Sequence, residues 1–210
     1  MVAKKKIDLS DWNRKAHFDF FKTFEEPFFG VGVKVDCSIA YHKAKTAEQS
    51  FFLTYLHAAL RAANAVDNFK YRIFDGEVYA YSRIDASPTI NRPDNTFGFS
   101  YIEYKKDFKS FVVAANQEMD RVRKRTDLVP AHGEANVIHF SSLPWLDFTF
   151  TTHARKYSIE DSCPKISFGK MTIDMGVRKM PVSIHCHHAL MDGYHVGLFV
   201  NKFQEFLNEE

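Results

Sequence analysis

Along residues 28–40 apolar and polar side chains alternate, with Val31, Val33, Val35 and Cys37 on one face, and this predicts a strand. Ahead of it, Ser10-Asp11 offers a helix cap; the helix it starts runs to about Phe21 and ends before Pro27. From Thr46 to about Ala65 the apolar period lengthens to that of a helix, with Phe52, Leu56, Ala59, Leu60 and Ala63 in one stripe. Asp75-Gly76 separates two β-like runs, 69–74 and 78–84, which is a hairpin signal. A second long helix is predicted over 107–125, with Phe108, Phe111, Val112, Ala115 and Met119 on its inner face. Strands are predicted near 136–142, 148–152, 165–173 and 180–187. A last helix begins near Tyr194 and spaces Val196, Phe199, Phe203, Phe206 and Leu207 for burial.

Helices and strands are thus mixed, and several strands follow one another through short turns. That favours an α/β two-layer sandwich, a mixed and largely antiparallel sheet covered by helices on one side. No G-x-G-x-x-G follows a strand, which argues against a dinucleotide-binding sheet. No repeat, low-complexity tract or Pro/Ser-rich linker divides the 210 residues, so the expectation is a single domain over 1–210.

Composition narrows the class. Hydrophobic residues make up 45% and charged residues 26%, the balance of a soluble globular protein. The 21 Phe, 9 Tyr and 2 Trp exceed what a core requires and leave rings to line a pocket for a flat, apolar ligand. A net charge of +2, with Lys and Arg scattered, argues against nucleic acid as a partner. The basic start at residues 1–6 is interrupted by residues 7–11, so no signal peptide is expected there, and no apolar run in the sequence reaches membrane length. Cys37, Cys163 and Cys186 match neither a disulfide framework nor a zinc ribbon, so the expectation is a cytoplasmic protein with reduced thiols.

The most informative stretch is Ser183-Ile184-His185-Cys186-His187-His188-Ala189-Leu190-Met191-Asp192-Gly193. In strand geometry Val182, Ile184, Cys186 and His188 share one face, while Ser183, His185 and His187 share the other. His188 thus ends an apolar row, where desolvation favours a neutral imidazole able to accept a proton, as a general base requires. Two other readings stand beside this one. One is a metal site built from His185, His187, His188 and His195, but these lie on both faces and lack a carboxylate or Cys at ligand spacing. Alternatively the histidines simply pack at a strand-to-helix corner.

The H-H-x-x-x-D-G pattern from His187 to Gly193 resembles the active-site signature of chloramphenicol acetyltransferases and of related coenzyme A-dependent acyltransferases. Four further segments resemble the same family, in family order: Trp12-Asn13-Arg14-Lys15-Ala16-His17-Phe18, Ser141-Ser142-Leu143-Pro144-Trp145, Phe168-Gly169-Lys170 and Asp192-Gly193-Tyr194-His195-Val196. They span nearly the whole chain, and no lipoyl domain accompanies them.

The resemblance implies an acetyl-CoA-dependent O-acetyltransferase that acetylates chloramphenicol and uses no metal. His188 would be the general base, Ser141 the donor to the tetrahedral oxyanion, and Arg14 and Asp192 a structural salt bridge. Ser167 would help bind a transition-state water, and Lys170 would meet an anionic part of the coenzyme. Phe21, Phe24, Phe29 and Phe97 fall in segments that line the acceptor pocket; Trp145 is expected to pack. The resemblance also implies a homotrimer with active sites between subunits. The departures from the family pattern concern the acceptor: Phe148-Thr149-Phe150-Thr151-Thr152-His153, Pro88-Thr89-Ile90-Asn91-Arg92, and His185 and Cys186 in place of a glutamine and an apolar residue. The alternatives are another hydroxylated small-molecule acceptor, or an idle relative that only binds coenzyme A or an apolar ligand.

Overall fold

A computed structural model describes residues 2–128 and 135–209. In chain order the elements are β1 (Lys4–Lys6), α1 (Lys15–Phe21), β2 (Phe28–Asp36), α2 (Ser38–Thr46), α3 (Phe51–Ala65), a 3-10 turn (Asp67–Lys70), β3 (Tyr71–Phe74), β4 (Glu77–Tyr81), β5 (Asp85–Asn91), β6 (Phe97–Phe99), α4 (Phe108–Arg123), β7 (Val137–Ser142), β8 (Lys165–Phe168), β9 (Thr172–Asp174), β10 (Val177–His187) and α5 (Gly193–Leu207).

The main sheet runs β2-β10-β8-β7-β5-β6, with β9 also paired to β10. The β5–β7 and β7–β8 ladders are parallel and the others antiparallel. The core lies between this sheet and the helices. Val182, Ile184, Cys186, Ile166, Phe168, Ile138 and Phe140 point into it from the strands, and Leu53, Leu56, Leu60, Phe111, Phe199 and Phe203 from the helices. This is the mixed two-layer arrangement that the patterning predicts. A small sheet, β1-β4-β3, is pinned against β7 by the fully buried Arg72. Its guanidinium donates to the carbonyls of Phe69, Tyr71, Ala135 and Val137, four acceptors that satisfy the cation without a carboxylate.

Several local expectations are replaced. The chain leaves β2 at Asp36, whose Oδ1 accepts from Ser38 N, and α2 follows where strand was expected up to residue 40. That helix carries His42, Lys43, Lys45 and Thr46 on its exposed side and buries only Ala40 and Ala44, so it carries almost no apolar period. Helix α3 therefore starts at Phe51, capped by Ser50, rather than at Thr46. The strand β5 escapes detection because Pro88 sits inside it, and proline argues against a central strand. The expected strand over 148–152 does not form. β7 already has β8 and β5 on its two edges, and 148–152 instead lies across the sheet face opposite the helices, called the outer face below. Its Phe-x-Phe alternation reflects packing on that face: Phe148 reaches Gly169 and Phe150 reaches Gly30. One predicted run over 165–173 is two strands. The second hairpin turn, Met175-Gly176, takes φ of 47° and 81°, much as Asp75-Gly76 takes 48° and 72°.

Candidate active site

Strand β10 ends at His187, and the chain turns through Ala189-Leu190-Met191 into α5. His188 stands at this corner. Its backbone N–H donates to Pro27 O at 2.8 Å, which fixes the corner against the start of β2. Its ring lies flat on Phe21, with centroids 4.0 Å apart and planes 5° apart, and meets Phe29 at 4.6 Å. Nδ1 is buried without a partner among the described residues, which leaves Nε2 as the ring nitrogen open to solvent. The strand-parity reading thus places each histidine as observed: Cys186 and Ile184 are in the core, and His185 and His187 face outward from it.

Arg14, only 6% exposed, holds the corner from the other side. Nη1 donates to Asp192 Oδ2 at 2.6 Å, and Nη2 to the backbone carbonyl of His188 at 3.2 Å. Asp192 also caps α5 through Tyr194 N at 3.1 Å. His195 Nδ1 lies 2.9 Å from Asp192 Oδ1 and 3.3 Å from Asp192 N. One nitrogen cannot donate and accept at once, and the shorter contact to a carboxylate means that Nδ1–H donates to it. Burial pushes the Asp192 carboxyl upward, but hydrogen bonds from Arg14 and His195, with their charges, outweigh it and hold the group at about 2. Asp192 is therefore a fixed anion that organises the corner.

Ser141 lies elsewhere, near the end of β7 on the outer face. In register across the sheet, Ser141 pairs with Ser167 and Ser167 with Ser183, so three serines form a transverse row. The neighbouring row is His139, Lys165 and His185. Ser142 points the opposite way, and its hydroxyl is engaged with Tyr55 Oη at 3.0 Å; Ser141 keeps its hydroxyl free among the described residues. Ser167 is buried, with Oγ 3.4 Å from His153 Nε2.

The remaining predicted residues divide between two places. Phe21 and Phe29 touch His188, and Phe24, 42% exposed, packs on Phe21 at 5.2 Å. Phe97 sits on β6 at the far edge of the sheet from β2, beside Phe99. Lys170 is exposed between β8 and β9, and its backbone N–H donates to Leu146 O. Trp145 is 65% exposed, so it does not pack as expected: Leu143-Pro144-Trp145-Leu146 forms a turn that carries the indole outward. The sequence singles out His153 only as the end of the 148–153 departure, and does not single out His139, Arg155 or Lys165. Period 2 in β7 and β8 was the available signal, because it puts His139 and Lys165 on the same face as Ser141 and Ser167.

Within one chain His188 and Ser141 are apart. Ser183 is level with Ser141 and precedes His187 by roughly 13 Å of strand, and two strand spacings add roughly 10 Å sideways.

The fold is shared with acyltransferases. Dihydrolipoamide acetyltransferase of Azotobacter vinelandii superposes with a TM-score of 0.68 at 13% identity, over 92% of this chain and 86% of that one. A solved chloramphenicol acetyltransferase superposes with a TM-score of 0.91 at 35% identity, over 98% of this chain and all of that chain. A chloramphenicol acetyltransferase of Klebsiella sp. is 26% identical over 206 residues, covering 97% of this chain and 93% of its own. The chloramphenicol acetyltransferase family model matches residues 2–204, and the chain belongs to that family of acyltransferase enzymes.

Proposed function

We propose that the protein transfers acetyl from acetyl-CoA to a hydroxyl of chloramphenicol, with His188 as general base. What carries the reading is the corner itself: a histidine ring held between Phe21 and Phe29, its backbone fixed by Pro27 and Arg14, and only Nε2 open. For Nε2 to accept a proton, Nδ1 must carry the ring hydrogen. Nε2 takes the proton from the acceptor hydroxyl as its oxygen attacks the thioester carbonyl. The tetrahedral oxyanion that forms accepts a hydrogen bond from Ser141, then collapses and expels the coenzyme A thiolate. Ser167 helps to hold a water at that oxyanion, and Lys170 meets an anionic part of the coenzyme. Arg14 and Asp192 keep the corner rigid and do not move protons. No metal takes part, and the protein works in the cytoplasm as one domain.

The separation of His188 from Ser141 supports a site shared between subunits, in a homotrimer closed by threefold symmetry. His188, with Phe21, Phe24 and Phe29, comes from one chain, and Ser141, Ser167 and Phe97 from the next. The assay is thiol release from acetyl-CoA with and without chloramphenicol. Saturable coenzyme A binding without chloramphenicol-dependent release would leave an idle binding protein. Release only with other alcohols would move the acceptor to another hydroxylated small molecule, a reading that the polar row His139, Lys165 and His185 favours.

A further inference from the structure

A cavity of about 250 Å³ opens in the helix layer, where α2 and α3 meet the start of α4 and the end of α5. Ala40, Ala44 and Ala58 form its small-residue wall, and Phe108 and Phe206 add rings. It lies away from the corner that holds His188. Helix α5 starts at that corner, and Phe206 and Leu207 stand at its other end, roughly 20 Å along the axis. Ser141 is remote as well: Tyr55, which meets Ser142, leaves α3 from a different face than Thr54, Ala58 and Arg61.

The lining carries three cations, Lys43, Arg61 and Lys106, against one carboxylate, Glu209. Glu209 follows α5 and grips Arg61 with both oxygens. Nη1 donates to Oε2 at 2.6 Å and Nη2 to Oε1 at 3.0 Å. The guanidinium also lies on the Phe206 ring, 3.9 Å from its centroid. A planar fork held flat in this way suits the paired oxygens of a carboxylate or phosphate. The hydrogen bond from Arg61 lowers the pKa of Glu209 against the effect of burial, and the charges of Arg61 and Lys43 add to it, so Lys43 acts on the same spot. Burial lowers the pKa of His57, whose Nε2–H donates to Lys105 O at 2.9 Å; this ring is a wall without charge. Lys43 and Lys106 have no ion-pair partner among the described residues. The Arg61–Glu209 pair is open to water, with side chains 30% and 45% exposed, and a pair of that kind is worth little. A more highly charged anion can therefore take the place of Glu209 at low cost.

We propose that this cavity binds a small organic dianion, a phosphomonoester or dicarboxylate with a compact apolar body, and that Glu209 is the internal stand-in for its charged group. Arg61, Lys43 and Lys106 take the charge, and Phe108, Phe206 and the alanines take the body. The volume falls below the range typical of a drug-sized ligand, which limits that body to about one ring. The probes are phenyl phosphate, benzylmalonate and inorganic phosphate, titrated calorimetrically into the whole chain with coenzyme A at saturation. The expected result is a Kd below about 1 mM for phenyl phosphate or benzylmalonate, at least about tenfold tighter than for inorganic phosphate. At about tenfold excess over that Kd the Tm should rise by at least about 2 °C. Arg61→Met, Lys43→Met and Lys106→Met should each weaken binding by about tenfold, and Glu209→Gln, which removes the competitor, should tighten it severalfold. Thermal denaturation identifies any variant that fails to fold; Lys43, Lys106 and Glu209 are exposed, so their variants keep the test available if Arg61→Met does not. No binding to either the unaltered or the Glu209→Gln protein, or binding indifferent to the charge changes in folded protein, would overturn the proposal. Binding that appears only when coenzyme A is left out would overturn it too, because the probe would then be entering the coenzyme's site.

Discussion

Phe21 lies flat against His188, with 5° between the ring planes and 4.0 Å between the centroids. A side chain so stacked has its second torsion decided by a neighbour, so the direction of Nε2 is set before any substrate arrives. His188→Ala should therefore lower kcat by about 10²–10⁴-fold with the fold and coenzyme A affinity kept. Phe21→Ala should lower it by about ten- to hundredfold, because the His188 ring loses its orientation. Steady-state kinetics with His187→Ala as comparison checks this; a dead His187→Ala beside an active His188→Ala would assign the base to the wrong histidine.

Ser141→Ala should cut kcat far more than it raises KM, by about 10²–10³-fold, because its hydroxyl is needed when negative charge develops. Ser142→Ala removes a hydrogen bond to Tyr55 on the core side and should act on stability rather than on turnover. The reverse pattern would mean that Ser142 serves the oxyanion.

If each site takes His188 from one chain and Ser141 from the next, His188→Ala and Ser141→Ala are complementary defects. Refolded together, the two inactive variants should form mixed trimers in which some sites are whole, and activity should return well above that of either alone. Analytical ultracentrifugation should show roughly 73 kDa, three times the 24.3 kDa chain. Fully active monomer, or mixtures as dead as their parts, would rule out the shared site.

Acid should destabilise the protein in two steps. Burial, aided for His139 by the charge of Lys165 and for His187 by that of Arg155, lowers these two imidazoles to about 4, and His153 is lowered likewise. Between pH 6.5 and 4 the unfolded chain binds more protons than the folded one, so stability is full above 6.5 and falls as the pH drops through that window. Asp192, held at about 2, adds a second loss only below the ordinary Asp range near 4. The Tm should fall by at least about 5 °C from pH 7 to pH 5. In His187→Asn that fall should be smaller, and an identical fall in this variant would discount the buried imidazoles.

Much of this was legible in the chain because period and chemistry coincided. The parity of β10 separated His188 from His185 and His187, and the Arg14–Asp192 pair brings together residues 178 positions apart that the motif comparison had coupled. Other elements were hidden for physical reasons. Helix α2 shows little apolar stripe because few of its residues are buried, and β5 is masked by Pro88. The 148–152 run alternates as a strand does, yet its partner is a sheet face rather than an edge. The close approach of that crossing segment to β2 depends on two glycines, Gly30 and Gly32, whose meaning appears only when Phe150 and Thr149 are seen above them.

Gly32→Ala tests that dependence. A methyl group cannot share space with a backbone carbonyl, so the crossing segment must lift, at a cost of about 1–3 kcal/mol for overpacking. Denaturant titration and proteolysis near residue 150 would register the change; unaltered values would place Thr149 away from β2.

The clamp made by Arg14 joins the earliest helix of the fold to the latest, across the corner between β10 and α5. A growing chain can fold its early elements while synthesis continues, but Arg14 lacks both of its acceptors until His188 and Asp192 emerge. The corner that carries the proposed base is thus completed only once residue 192 has been made, and a nascent chain stalled before that point holds Arg14 in place with the clamp still open.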